Sequence, residues 1–226
     1  MFYFCIKHIK MIIGVINTKG GSAKTTTSTN LATCFANRKY QVALLDCDGG
    51  QESSKNWAEN RPADKAQVRV EVVAPQYLAT TAKALEKEGY LVIIDSAPKQ
   101  SELANLIIVA SDIVLIPIQP SFYDFRGFEN FLSTFRMFQD AKQANGGVVK
   151  PVIVLTRVKQ KTVMLDSIKS ALANYEIPIL KSEIVEREAY KITAGMGIGV
   201  VEYSDPKAKF EIDNLTSEIE RIFDSF

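Results

Sequence analysis

The sequence predicts a doubly wound α/β domain whose mostly parallel sheet is flanked by helices on both faces. Two observations carry this prediction. Short apolar runs rich in β-branched residues recur without polar alternation, which is typical of strands buried on both faces of a sheet. Stretches with a helical spacing of apolar residues lie between these runs, and such alternation of strands and helices is the pattern of a parallel sheet.

The predicted strands are seven apolar runs, of which the last is the weakest: residues 12–16, 42–45, 68–73, 91–94, 113–118, 152–155 and 177–180. The predicted helices are residues 24–38, 51–60, 77–88, 101–110, 127–144, 162–174 and 207–226. Right-handed crossovers place the loops that follow parallel strands at one edge of the sheet, where α/β proteins bind their ligands.

The chain is predicted to form a single domain over residues 11–226, because no internal repeat or linker interrupts the pattern and 226 residues suit one core. The first ten residues, MFYFCIKHIK, are interpreted as a short N-terminal extension, since Met11 opens the first strand directly. A signal peptide is disfavoured because Lys7 breaks the apolar run and no small-residue cleavage site follows.

Composition narrows the function classes. Lys and Arg total 27 against 26 Asp and Glu, so any nucleic-acid site must be a local patch. Three cysteines without a CxxC pair argue against disulfides or a zinc site and favour a cytoplasmic location. The single histidine, His8, lies in the extension, which disfavours histidine-based catalysis. No apolar run approaches the roughly 20 residues of a membrane-spanning helix.

The loop after the first predicted strand, Thr18-Lys-Gly-Gly-Ser-Ala-Lys-Thr-Thr26, runs directly into a helix. Glycines let backbone N–H groups approach phosphate oxygens, and the helix N-terminus adds a positive dipole end. Lys24 is placed to reach the β- and γ-phosphates, and the Thr25 hydroxyl is placed to ligate Mg²⁺. The sequence therefore predicts a nucleotide site at Lys19, Gly20, Gly21, Ser22, Ala23, Lys24, Thr25 and Thr26.

Carboxylates end two other predicted strands. Asp95 follows the run 91–94, which is the pattern of a Walker B aspartate that binds Mg²⁺. Asp46 and Asp48 follow the run 42–45 and reach the same edge of the sheet. For this second pair the alternative is a turn in which the side chain bonds its own backbone.

These segments together resemble the ParA/MinD superfamily of P-loop ATPases. Lys19-Gly-Gly-Ser-Ala-Lys-Thr25 resembles its deviant Walker A motif, KGGxxKT, and the order of segments is similar from Met11 onwards. Asp46-Cys-Asp48 resembles its DxDPQ motif, Asp95-Ser-Ala-Pro98 its Walker B motif, and residues 116–121 the segment after its fifth strand. Trp57, Thr156-Arg157 and residues 186–191 are most similar to short ParF-like partition ATPases.

Two positions depart from the family pattern. Ala23 stands where the ordinary Walker A motif has a third glycine, and a left-handed backbone there would cost an alanine about 1 kcal/mol. Gly49-Gly50-Gln51 replaces the expected Pro-Gln, as if one residue were inserted. Spacing from the strand favours Asp48 over Asp46 as the counterpart of the catalytic aspartate.

The resemblance implies slow, partner-stimulated hydrolysis of ATP to ADP by an ATP-dependent homodimer. Lys24 would neutralise the phosphates of its own nucleotide, Lys19 would reach the nucleotide of a second subunit, and Asp48 would orient the attacking water. Thr25, Asp46 and Asp95 would hold Mg²⁺. Thr156 and Arg157 would complete the nucleotide site.

Three classes of function remain open. The first is plasmid or chromosome partition, with a centromere-binding adaptor protein, nonspecific DNA binding and nucleoid association in the ATP state. The second is a MinD-like or other cargo-positioning ATPase, and the third, less favoured because of Lys19, is a metabolic P-loop ATPase or ligase. Membrane binding is disfavoured because Ile212, Leu215, Ile219 and Ile222 form a stripe beside an acidic face, which is interpreted as core packing.

DNA contacts are expected from a modest set of basic residues, with an ordinary solvated surface as the alternative. The candidates are Lys150, Arg157, Lys159, Lys161, Lys169, Arg187, Lys191, Lys207 and Lys209.

Overall fold

The structure, a computed structural model, describes residues 9–50, 52–98 and 101–226. These residues form a seven-stranded sheet in the order β3-β2-β4-β1-β5-β6-β7, with every neighbouring pair parallel. The strands are β1 (Met11–Val15), β2 (Val42–Asp46), β3 (Arg69–Val72), β4 (Leu91–Asp95), β5 (Ile113–Ile118), β6 (Lys150–Val158) and β7 (Ile179–Val185). The predicted fold class is confirmed, and each predicted strand is present, although β7 begins two residues later than predicted and extends to Val185.

Eight α-helices in the described residues flank the sheet. They are α1 (Lys24–Asn37), α2 (Ser53–Glu59), α3 (Leu78–Lys87), α4 (Ser101–Ala110), α5 (Phe122–Ala144), α6 (Val163–Leu172), α7 (Glu188–Gly195) and α8 (Pro206–Phe223). Short 3-10 turns occupy Pro75–Tyr77, Ala173–Tyr175 and Val200–Glu202.

The sheet is buried on both faces, which explains the continuous apolar runs. Every residue of β1, β2, β4 and β5 is buried. Successive side chains point to opposite faces of a strand, so Ile12 joins a core cluster with α3, α4, α5 and α6, whereas Ile13 joins a second cluster with α1 and α8. The central strands are therefore enclosed between two layers of helices.

The strand register brings three loops together. Asp46 at the end of β2 pairs in register with Asp95 at the end of β4, and Asp95 pairs in turn with Val15 at the end of β1. The segments that follow these three strands therefore leave the sheet at the same edge.

Two helices differ from the sequence prediction. The predicted start of α5 at Gly127 is wrong: the helix begins at Phe122, because the Ser121 hydroxyl caps it by accepting from the Asp124 N–H at 3.2 Å. An interior glycine is tolerated in a long helix and was a poor guide to its start. Helix α7 was not predicted, because its buried positions include the small or polar side chains Ala189 and Thr193, which give weak apolar periodicity.

The carboxyl-terminal stripe packs into the core, as predicted. Ile212, Leu215 and Ile219 are buried in the second cluster, and Ile222 is partly buried against it. Within the described residues, no helix combines the length and the apolar character needed to cross a bilayer.

The proposed N-terminal extension lies mostly outside the described residues. Of residues 1–10, the structure describes Ile9 and Lys10, and the partly buried Ile9 packs against the second core cluster.

Candidate functional site

A compact loop between β1 and α1 forms the centre of the site. Gly21 and Ala23 both have left-handed backbone, with φ of +76° and +66°. The departure at Ala23 therefore carries the strain expected from the sequence, about 1–2 kcal/mol for a residue with a Cβ atom. The Ser22 hydroxyl donates to the Lys19 carbonyl at 3.1 Å, which closes the loop on itself. Gly20 is exposed at its outer surface.

Lys24 lies inside this loop. Its side-chain nitrogen donates to the Lys19 carbonyl oxygen at 3.1 Å, and the residue is buried. Burial lowers the pKa of Lys24 below its usual value, while the charges of Asp95 and Asp48 oppose the shift. A buried ammonium group beside a glycine-rich turn favours an anionic ligand such as a phosphate.

Asp95 is the centre of a buried group of hydroxyls. Its Oδ2 accepts from the Thr25 hydroxyl at 2.7 Å and from the Ser54 hydroxyl at 2.9 Å, and its Oδ1 accepts from the Ser28 hydroxyl at 3.1 Å. Burial raises the pKa of Asp95 to about 6 despite these hydrogen bonds. Mg²⁺ is bound in proteins by one or two carboxylates together with substrate phosphates, so Asp95 and Thr25 provide a donor set that fits it.

Asp46 makes contacts that favour the turn-capping alternative. Its Oδ1 accepts from the Asp48 N–H at 2.9 Å, and its Oδ2 accepts from the N–H groups of Ser54 and Lys55 at 2.8 and 3.1 Å. Both oxygens thus hold the backbone around the start of α2. A metal-ligand role for Asp46 stays a prediction, and this geometry does not favour it, because three of the roughly four lone-pair positions of the carboxylate already accept backbone N–H groups.

Asp48 lies just beyond Asp46 at the same edge. It is half-buried, and its Oδ1 accepts from the Gly50 N–H at 3.3 Å. The Asp48 carbonyl accepts from the Glu52 N–H at 2.8 Å. These two hydrogen bonds close a tight turn that includes Gly49 and Gly50. The departure from the family pattern is therefore confined to this turn.

Lys19 contacts an aspartate that the sequence analysis missed. The Lys19 side chain donates to Oδ2 of Asp124, in the first turn of α5, and the same oxygen accepts from the Ser121 hydroxyl. Asp124 is buried, and its other oxygen, Oδ1, has no hydrogen-bond partner among the described residues. The signal that could have found it is Ser121-Phe-Tyr-Asp124, a Ser-x-x-acid pattern that marks a helix start.

Thr156 and Arg157 lie near the end of β6, beside the loop. The Thr156 hydroxyl donates to the Ser22 carbonyl at 3.3 Å. Arg157 has left-handed backbone, with φ of +48°. It lines a cavity of about 330 Å³ that opens beside the start of α1 and is also lined by Ala23, Thr26, Ile184, Val185, Glu186, Arg187, Tyr190, Lys191 and Ala194. The structure therefore brings all the predicted phosphate-loop residues, Thr156, Arg157 and the three aspartates to one edge of the sheet.

A parallel sheet with a glycine-rich loop, an interior lysine and a buried strand-end aspartate defines a P-loop nucleotide-binding protein. The CobQ/CobB/MinD/ParA nucleotide binding domain matches residues 13–198. The chain belongs to this family, and the superfamily resemblance seen in its motifs is confirmed.

The chain is similar to proteins whose names indicate different roles. The chain is 26% identical to Protein ParA of Rhizobium radiobacter over 181 residues, which are 79% of this chain and 80% of that protein. It is 26% identical to the maintenance of carboxysome distribution protein A of Halothiobacillus neapolitanus over 212 residues, covering 92% and 95% of the two chains. The MinD cell division protein of Aquifex aeolicus has the same fold, with a TM-score of 0.73, 16% identity and coverage of 93% and 97%.

Proposed function

We propose that the protein is an ATP-dependent dimerisation switch that hydrolyses ATP to ADP and positions a cargo, with DNA partition as the favoured cargo class. The observation that carries this proposal is that two lysines of one loop point in different directions. Lys24 points into the loop, whereas Lys19 reaches outward to α5. These two directions support a role for Lys24 at the nucleotide of its own chain and a role for Lys19 at the nucleotide of a second copy.

Each remaining residue has a role within this proposal. Thr25 and Asp95 would hold Mg²⁺, which supplies positive charge at the phosphates. Lys24 neutralises the β- and γ-phosphates, and the loop N–H groups bind their oxygens. Asp48 is proposed to orient the attacking water, because among the three strand-end aspartates it is the one that is half-buried, whereas Asp46 and Asp95 are buried. Lys19, supplied across the dimer interface, offsets the charge that develops as the γ-phosphate leaves.

The cavity beside Arg157 and Thr26 is proposed to hold the base and ribose of the nucleotide. It adjoins the phosphate loop through Ala23, and its other wall is formed by α7 and the segment after β7. Its volume of about 330 Å³ falls at the lower end of the range of small-molecule pockets, about 300–1,000 Å³.

The light-scattering mass of the protein with ATP and Mg²⁺ tests the switch. We expect the wild type to be monomeric with ADP and dimeric with ATP. Lys19→Ala is expected to bind ATP without dimerising, whereas Asp48→Ala is expected to form a long-lived dimer because the γ-phosphate stays. Lys24→Ala, which cannot hold the phosphates, is the control that should do neither. A wild type of one size with ADP and with ATP would refute the proposal.

The similarity to Protein ParA supports partition. Carboxysome positioning is the second candidate, and it rests on the nearly full-length match to the carboxysome distribution protein. A membrane switch is disfavoured because the apolar stripe of α8 is buried in the core. The proposed partition role adds a centromere-binding adaptor that stimulates hydrolysis. Pull-down with the product of a neighbouring gene would separate a DNA-bound adaptor from a carboxysome-associated one.

DNA binding is the least supported part of the proposal. Four of the basic residues expected to contact DNA form ion pairs within the chain: Lys159 with Glu186, Lys169 with Glu183, Arg187 with Glu211, and Lys191 with Glu188. The positive charge at these four positions is therefore partly offset within a single chain, and dimerisation would bring two copies of the remaining basic residues together. We expect duplex DNA to be retained with ATP alone, and less so as salt rises. Equal retention without nucleotide would contradict a dimer-assembled surface.

A further inference from the structure

The loop that carries Asp48 is followed by α2, a helix too short to be stable alone. Its seven residues make fewer turns than an isolated helix needs in water. The start of α2 is held by the Asp46 carboxylate, through the N–H groups of Ser54 and Lys55. The position of the Asp48 loop therefore depends on whatever fixes α2 in place.

The end of α2 is fixed by a buried contact with the segment between α7 and α8. The Trp57 indole N–H donates to the Ile198 carbonyl at 3.2 Å. The Arg61 guanidinium lies over the Trp57 ring, 5.1 Å from its centroid, and donates to the Gly197 carbonyl at 3.0 Å. The guanidinium also forms a bidentate ion pair with the Glu202 carboxylate, at 3.0 and 3.2 Å.

This contact is dry and closely fitted. The side chains of Arg61 and Glu202 are only 3% and 5% exposed. Gly197 has φ of +67°, and a Cβ atom there would lie 2.4 Å from the backbone of Asn60 and Arg61. A glycine is required at this position both by the backbone conformation and by the close approach of the two segments.

The segment that contains Gly197 follows directly after α7, and α7 forms part of the wall of the cavity beside the phosphate loop. Tyr190, Lys191 and Ala194 of α7 line that cavity, and α7 ends at Gly195, two residues before Gly197. On its far side the segment is tied to α1, because the Val200 N–H donates to Asn30 Oδ1 at 2.8 Å. The segment is thus anchored to the long, buried helix α1, so strain at its contact with α2 is expected to displace the short helix α2 and not the cavity wall.

We propose that Trp57, Arg61 and Gly197 form a positioning unit that sets the hydrolysis rate by holding the Asp48 loop, without contributing to nucleotide affinity. The inference rests on the proposed ATPase function. None of the three residues lines the nucleotide cavity or belongs to the phosphate loop, so they act on the reaction through α2. Because water orientation is more sensitive to small displacements than phosphate binding, a shift of α2 should change the two quantities unequally.

The test is Gly197→Ala in the full chain, with Gly195→Ala as the matched control. A Cβ atom at Gly195 would have no neighbour within 4 Å, whereas a Cβ atom at Gly197 would clash with the backbone of Asn60 and Arg61, just after α2. We expect Gly197→Ala to lower kcat for ATP hydrolysis at least about tenfold while the Kd of a non-hydrolysable ATP analogue changes less than about twofold. Gly195→Ala should leave both quantities unchanged.

Trp57→Phe keeps an aromatic ring at this contact and removes only the N–H donor, so it tests the unit if Gly197→Ala does not fold. It should lower kcat about threefold with the analogue Kd unchanged. Thermal unfolding curves set an assay temperature at which each variant is folded. Wild-type kcat in the folded variants, or a parallel loss of kcat and analogue affinity, would overturn the inference. Absence of ATP hydrolysis in the wild type would instead refute the proposed function.

Discussion

Removing the Lys19 amino group is expected to destabilise the fold, and removing the charge of Asp124 as well is expected to restore most of the loss. The Asp124 side chain is fully buried, while that of Lys19 is 40% exposed. A buried carboxylate that loses its charged partner costs about 3–5 kcal/mol in dry surroundings. Because water can enter where Lys19 was, we expect about 2 kcal/mol, within the range for hydrogen bonds to charged groups.

Urea unfolding of the nucleotide-free protein, followed by circular dichroism, measures this difference. The series is Lys19→Ala, Asp124→Asn and the double variant, with Lys87→Ala on the exposed surface of α3 as the control. The double variant should be at least about 1 kcal/mol more stable than Lys19→Ala, because a neutral amide is less costly to bury than a lone carboxylate. A Lys19→Ala variant as stable as the wild type, or a double variant no more stable than the single one, would refute the reasoning. The double variant also separates dimerisation from folding in the light-scattering test.

Three other predictions concern the phosphate loop, the packing of β1 and the interior of α5. Lys24→Ala should abolish ATP binding in a calorimetric titration, because it removes the buried ammonium group of the phosphate loop; an undiminished affinity would contradict the P-loop assignment. Gly14→Ala should destabilise the fold by about 1–3 kcal/mol, since its Cβ atom would lie 2.4 Å from Ile107. Gly127→Ala, in open space within α5, should stabilise it by about 0.5–1 kcal/mol; equal urea midpoints for these two variants would show that the contact at Gly14 is not decisive.

The parts of the fold that local sequence determines were predictable. Strands buried on both faces need continuous apolar residues, so all of the central strands were visible in the sequence. The phosphate loop was equally visible, because its glycines and lysines lie within nine consecutive residues. Parallel register then places strand-end aspartates at one edge without further information, as Asp46 and Asp95 illustrate.

The parts that depend on distant contacts were not predictable. Lys19 and Asp124 are separated by 105 positions, and the intervening segments carry no signal that pairs them. Whether Asp46 holds backbone or metal depends on where α2 begins, and both alternatives are compatible with a strand ending in Asp-Cys-Asp. The contact of Trp57 with Ile198 spans 141 positions, so the sequence shows an aromatic residue in α2 and not its partner.

The exposed apolar side chains near the phosphate loop lead to a last prediction. Tyr123 and Val163 are 78% and 83% exposed, and they lie in the first turns of α5 and α6, which follow neighbouring strands to the edge that carries Lys19. In the proposed dimer this edge must face the second copy, because Lys19 has to reach that copy's nucleotide.

Tyr123→Glu would then place a charge in the interface and should weaken the ATP-dependent dimer at least about tenfold without changing the affinity for a non-hydrolysable ATP analogue. Met137→Glu is the matched control: Met137 is 60% exposed on the same helix but lies about 21 Å further along its axis, since each helical residue adds about 1.5 Å. Sedimentation over a range of concentrations, with ATP and Mg²⁺, compares the two variants. If both dimerise as the wild type does, the second copy does not bind at this edge, and Lys19 cannot act across the interface as proposed.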